Sequence, residues 1–236
     1  MKGSTLLGLS LCLAIGAIPA ISQQNTPGAV HTQIEGIQIT PIGDAPFTAK
    51  EAVTWNQPQV GGGTVSLKYY TMVARDSQGR VHRENREFIP GNSTEEPPLR
   101  TFTIQDPVAG VSTTCTKATM TCATSAFNAT LALAQNATNQ AKGSSKSLGQ
   151  QTIEGLTTTG TQQTASKVSG PHGSTLAVSQ TESWFSTDLQ IDLSVTRTNP
   201  QSGVVTLNVT ELVRGEPDPS WFTIPAGYTV LGGKTQ

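Results

Sequence analysis

The sequence predicts a mainly β, antiparallel domain, and three observations carry that prediction. Short runs alternate apolar and polar side chains, the pattern of a half-buried strand. The chain holds 35 threonines, 23 glycines and 14 prolines, a mix that favours strands and turns over long helices. The runs follow one another through short connections, whereas a parallel pair needs a crossover of about a dozen residues or more, usually helical. At 35% hydrophobic, the chain lies below the roughly 45–50% of ordinary globular domains.

The N-terminus reads as an export signal, residues 1–22. Met1-Lys2 supplies the positive charge, Leu6 to Ile18 is an apolar run ended by Pro19, and Ala20-Ile21-Ser22 offers small residues for cleavage between Ser22 and Gln23. The run is too short to span a membrane, which takes ~20 apolar residues, so no membrane-spanning segment is expected. Cys12 lies inside the run behind Leu11 and is read as discarded with the signal. Residues 23–46 form a polar, turn-rich extension or linker, although Ile34, Ile37 and Ile39 could form a short edge strand.

A single domain is expected over residues 47–230. Its first strand is Phe47 to Trp55, interrupted by Gln57 to Gly63. Thr64 to Arg75 is a long strand, and Asp76-Ser77-Gln78-Gly79 is a turn into the partner strand Arg80 to Phe88. Pro90 to Pro98 reads as a loop and Thr101 to Ile104 as a short strand. Val111–Cys115 and Met120–Thr124 form a hairpin. Across it Cys115 and Cys122 come close enough to bond, and export favours an even pair being joined. A redox pair would want two intervening residues and a helix N-terminus, so a structural staple is expected.

A polar insert, 126–146, follows; over 126–142 it suits a surface helix and a loose linker equally. Strands resume over Leu148–Thr161, with bends at Gly149 and Gly155, then Ser174–Phe185, Leu189–Thr198 and Val204–Val213. Asp218-Pro219-Ser220 is placed to cap a helical turn at Trp221-Phe222, and 231–236 is a tail. The total is roughly ten strands with one or two short helices.

Several segments carry a resemblance. Pro46-Phe47-Thr48-Ala49, the hairpin Ala74 to Glu84, Asp106-Pro107-Val108-Ala109-Gly110-Val111, Leu148-Gly149, Ile153-Glu154-Gly155, Glu182-Ser183-Trp184-Phe185-Ser186 and Arg214 to Pro225 occur in this order. In that order the chain resembles a group of uncharacterised exported proteins of soil acidobacteria. Its later half is also similar to the lipoprotein-localisation (LolA/LolB-like) group of periplasmic proteins. The resemblance implies a strongly curved antiparallel sheet, a half-barrel, whose concave side holds an apolar ligand or a helix. With the export signal and the lack of a catalytic motif, the expectation is a periplasmic or secreted, non-enzymatic protein with a lipid, apolar ligand or envelope protein as partner. The Cys pair and the segment from Ala126 depart from the family pattern.

Composition excludes more than it assigns. A formal charge of −1 gives no basic field for nucleic acid. Three scattered histidines make no zinc cluster, and no cofactor or metal is expected. No Gly-x-Ser-x-Gly elbow and no phosphate loop is present, so no catalytic residue is assigned. The sequons at Asn92, Asn128, Asn136 and Asn208 are a chance product of a Thr-rich chain. Arg75, Arg80, Arg83, Arg86 and His82 cluster on one hairpin. They suit a solvated face neutralised by Asp76, Glu84 and Glu87 better than a patch for an anionic headgroup. Trp55, Tyr69, Tyr70, Trp184, Phe185, Trp221 and Phe222 are core anchors first. Among them Trp55, Tyr69, Trp184 and Phe222 are the candidates for a ligand-lined wall, with Phe222 expected to pack near Trp184 and close one end of the sheet.

Overall fold

The computed structural model describes residues 34–131, 144–168 and 175–231. The signal segment with Ser22 and Gln23, most of the expected insert and the last residues of the tail lie outside these. Among the described residues thirteen strands make one sheet. They are β1 Phe47–Pro58, β2 Thr64–Arg75, β3 Val81–Arg86, β4 Ile89–Pro90, β5 Leu99–Asp106, β6 Val111–Thr116, β7 Thr121–Ala126, β8 Ser144–Ile153, β9 Leu156–Val168, β10 Thr175–Ser186, β11 Ile191–Asn199, β12 Gly203–Arg214 and β13 Thr229–Leu231. Across the sheet the order is β13-β7-β6-β5-β3-β2-β1-β12-β11-β10-β9-β8, with β4 added to β2. The sheet is open and curved, as expected, and does not close into a barrel. Helix among the described residues is confined to 129–131 and a 3-10 turn, Pro219–Phe222.

Three local expectations need correction. Leu148–Thr161 is not one strand but the hairpin β8–β9. Glu154 and Gly155 both take positive φ, 48° and 75°, the two-residue turn whose twist suits a hairpin. Gly149, at φ 86°, marks a register slip rather than a bend between strands. The pairing of β13 with β7 is parallel, which the long connection between the two strands permits. Ile89–Pro90, expected at the margin of a loop, hydrogen-bonds to β2 as β4.

Strand register defines two faces. On β1 the alternation Phe47, Ala49, Glu51, Val53, Trp55 is buried throughout. Directly opposed antiparallel residues share a face. Glu51 opposes Thr71 and Val209, Ala49 opposes Val73, and Val53 opposes Leu207, which in turn opposes Val195. All of these are buried on what we term the first face. The second face carries Ala74 and His82, Ile104 and Phe102, Cys115 and Cys122, again linked by register. Each face is covered by a chain segment outside the central strands: residues 35–46 on the first, 216–228 on the second.

Candidate functional site

Residues 35–46 are not a strand, so their backbone groups need other partners. Side chains of the first face supply them. Glu51 Oε1 accepts the Ile37 N–H at 2.8 Å, and Arg83 donates to the Ile37 carbonyl. Arg83 Nη1 lies 2.9 Å from Glu51 Oε2. Arg197 donates to the Glu35 carbonyl at 2.6 Å. Arg75 donates to the carbonyls of Thr40 at 2.7 Å, Ala45 at 2.8 and 3.0 Å, and Leu189 at 2.7 Å. The segment thus crosses from β11 over β1 and β3 to β2, with Ile37 and Ile39 buried beneath it. A Cβ at Gly36 would overlap Arg83 Nη1 and stand 2.9 Å from Glu51 Oε1, so a larger residue there would push these two flexible side-chain ends aside.

This corrects the reading of the arginine cluster as a solvated face. Arg75 is fully buried, and burial pulls its pKa down to about 10. Its ring partner is Phe47, 5.0 Å from the guanidinium carbon. Arg80 pairs with buried Asp76 at 2.6 Å. Asp76 also accepts from the N–H groups of Gln78 and Arg80 and so fixes the turn. Asp76 and Glu84 do pair with arginines as expected, but Arg86, paired with Glu84 and with exposed Glu96, is itself largely buried. Burial, then the Glu51 charge, pushes the Tyr69 phenol up to about 12, against the opposing pull of Arg83 and Arg197.

Beside the strap a cavity of about 460 Å³ opens on the first face. One wall is Glu35 to Gln38. The floor is Thr159, Thr161 and Gln163 of β9, Thr181, Ser183 and Phe185 of β10, and Asp192, Val195 and Arg197 of β11. Burial raises the Asp192 carboxyl, while Arg197 and a hydrogen bond from Ser183 hold it down. Most of the floor is hydroxyl and amide; Phe185, Val195 and Ile37 supply its apolar part.

The four wall candidates do not gather in this cavity. Trp55 and Tyr69 sit on the first face around Phe88, at centroid distances of 5.7 and 4.8 Å. Trp55 is fixed by an indole N–H donated to the Ser202 carbonyl at 2.7 Å. Trp184 lies over Gly160, its cross-strand neighbour, where a Cβ would be 2.6 Å from the ring. Phe222 does not pack near Trp184, contrary to expectation. It is buried on the second face with Ala74, Phe102, Ile104, Cys115 and Cys122, and Trp221, Ile224 and Tyr228 pack around that cluster. Cys115 and Cys122 stand opposite each other on β6 and β7 and are joined. The expected cap is present: Asp218 accepts from Ser220 N–H at 2.8 Å and starts the 3-10 turn that delivers Trp221 and Phe222.

Glu51, Arg197 and Asp192 were not singled out in the sequence, and Arg83 appeared there only as one member of the hairpin cluster. For Glu51 a signal existed: it stands where the β1 alternation calls for an apolar residue between Ala49 and Val53. The cavity floor offered none, since threonine, serine and glutamine on a strand read as exposed.

No protein-family model matches the chain, and no curated protein matches it. Solved structures do. The chain is similar to an uncharacterized conserved protein from Thermus thermophilus, 13% identical, over 79% of this chain and 89% of that one, with a TM-score of 0.43. It is similar to LprF from Mycobacterium bovis, 14% identical over 78% and 90%, TM-score 0.35. It is similar also to the lipoprotein LppX of Mycobacterium tuberculosis, 14% identical over 72% and 87%, TM-score 0.29.

Proposed function

We propose that the protein is an exported, non-enzymatic binding protein that takes an apolar group, from an amphiphile or a lipidated partner, on the first face of its sheet. The observation that carries this reading is the cavity between residues 35–38 and β9–β11. Its volume falls within the roughly 300–1,000 Å³ of ligand pockets. Ile37 and Val195 line it, and Val195 continues through Leu207 and Val53 as a buried apolar row beside it. The hydroxyl, amide, Asp192 and Arg197 groups around that apolar strip suit the polar end of the same ligand. Export is supported by the N-terminal sequence and by the disulfide, which fits an oxidising compartment. Native mass spectrometry with solvent extraction of protein purified from its own cell envelope tests the reading. A co-purifying amphiphile is expected in the wild type and is expected to be lost in Thr161→Trp, which fills the cavity. Ligand-free wild-type protein that also fails to take up added lysophospholipid would refute it.

A second reading, a structural or interaction module of the cell envelope, is favoured by β8. Among the described residues this ten-residue strand ends the sheet, and an open strand edge is a template for a partner's strand. A stable protein complex without bound small molecule would select it.

A further inference from the structure

The floor of the cavity is a grid set by strand register. Directly opposed residues share a face, so Thr159, Phe185 and Asp192 form one row across β9, β10 and β11. Thr161, Ser183 and Val195 form the next row, and Gln163, Thr181 and Arg197 the third. Neighbours lie about 4.8 Å apart across the strands and roughly 6.6 Å apart along them, a mesh on the scale of a pyranose ring and its hydroxyls. Nearer β1 the same face is apolar, with Leu207 and Val53. It turns to hydroxyl and amide where residues 35–38 raise a wall beside it.

The hydrogens of this floor have a direction. The Ser183 hydroxyl donates to the Asp192 carboxylate. The 3.2 Å contact between Thr161 Oγ1 and Ser183 Oγ is then donated by Thr161, because a hydroxyl has one hydrogen to give. Thr161 is left as an acceptor, polarised through Ser183 by the carboxylate. Arg197, at the opposite corner, only donates. A ligand on this floor therefore gives a hydrogen at Thr161 and accepts one near Arg197. A sugar hydroxyl does both. A phosphate gives none, and among the described residues the lining sets two carboxylates, Glu35 and Asp192, against one guanidinium, so a phosphate is repelled whatever it carries. Phe185 stands between Thr159 and Asp192, and the negative face of an aromatic ring attracts the C–H side of a sugar.

We infer that the polar group taken by this cavity is a saccharide, bonded by the hydroxyl, carboxylate and guanidinium groups of β9–β11 and stacked on Phe185. The inference rests on the proposed function and names the chemistry of the ligand's polar end.

The test titrates the protein with dodecyl glucoside, galactoside and maltoside, and with lauroyl lysophosphatidylethanolamine, whose chain has the same length, all below their micelle thresholds. At least one glycoside is expected to bind at least about tenfold tighter than the lysolipid. Thr161→Val keeps the shape of the floor and removes the acceptor. It is expected to erase that preference and leave lysolipid binding unchanged. Equal binding of all the amphiphiles, or tighter binding of the lysolipid, overturns the inference and leaves the apolar-ligand reading standing. Binding of none overturns both. Free maltose that binds as tightly as its dodecyl glycoside supports the saccharide and overturns the apolar-ligand reading alone. A folded Thr161→Val protein that keeps the full preference overturns the inference; should that variant not fold, the wild-type ratio decides.

Discussion

On the first face, residues 35–46 are held by Arg75, Arg83, Arg197 and Glu51, each bonding main-chain atoms. On the second, residues 216–228 are held by a cluster of Phe222, Phe102, Ile104, Ala74 and the Cys115–Cys122 bond, with Trp221, Ile224 and Tyr228 around it. Both segments cover the same sheet, yet the forces differ. Hydrogen bonds to buried carbonyls are directional, and losing one donor leaves its acceptors stranded at full cost. Apolar contacts are graded, and neighbours relax partly into a gap. The first closure should therefore fail abruptly when one residue is removed, and the second by degrees.

Arg75→Met gives the largest expected effect. It keeps the bulk but withdraws donors from the carbonyls of Thr40, Ala45 and Leu189. At ~1–3 kcal/mol for each stranded buried acceptor, the loss is on the order of 4–6 kcal/mol. Arg75→Lys should recover only part, because a point charge does not reproduce the fork. Urea unfolding measures both. A loss below about 1 kcal/mol for Arg75→Met would show that the polar closure is not what holds the segment.

Phe222→Ala should come next, at ~3–5 kcal/mol, the usual cost of a buried Phe. It also removes the ring beneath Arg80, 4.8 Å from its guanidinium carbon. Thermal unfolding should shift while the Ile37 amide keeps its protection against exchange. Loss of that protection would mean that the two closures are coupled. Replacing both Cys115 and Cys122 by Ala should cost less, roughly 2–3 kcal/mol for a loop of about eight residues in the chain-entropy model. Equal stability of the oxidised and reduced wild type would count against this.

The second closure was the more legible of the two. Cys115 and Cys122 flank a short connection, so their opposition follows from the hairpin alone. Asp218 before Pro219 announces its own cap. The strand Thr64–Arg75 and its turn at Asp76–Gly79 were readable for the same reason: their signals are local. What sequence could not supply was the partner. The hydrophobicity of Phe222 and Trp184 says that each seeks cover, not that one lies against β5–β7 and the other over Gly160. Arg75 and Arg83 looked like surface charge because composition carries no record of carbonyls brought from 30 and 46 residues away. Ile37 and Ile39 were read as a short edge strand in a linker, and nothing local in the sequence says that side chains, not a neighbouring strand, would satisfy the backbone around them.

The smallest expected effect separates the faces by pH. His82 lies on the second face, stacked on Phe102 at 5.5 Å and edge-on to Trp221 at 5.0 Å. Its Nδ1–H donates to the Trp221 carbonyl at 2.8 Å. Burial lowers its pKa below the ordinary 6.5, more than the Trp221 bond and the Glu84 charge raise it. Below about pH 6.5 the unfolded chain then binds a proton that the folded one refuses. Stability is full above that pH and falls as pH drops toward the folded value. Tyr69, on the first face, has its pKa raised from 10 to about 12. The folded state keeps its proton longer, so its contribution is full below pH 10 and fades as pH climbs toward 12. Melting temperatures of wild type, His82→Gln and Tyr69→Phe from pH 5 to 11 should therefore part at opposite ends. His82→Gln should flatten the decline between pH 6.5 and 5 and leave the alkaline side alone, and Tyr69→Phe should do the reverse. If His82→Gln keeps the full acid decline, the aromatic cover on this imidazole is not tight enough to repel its proton.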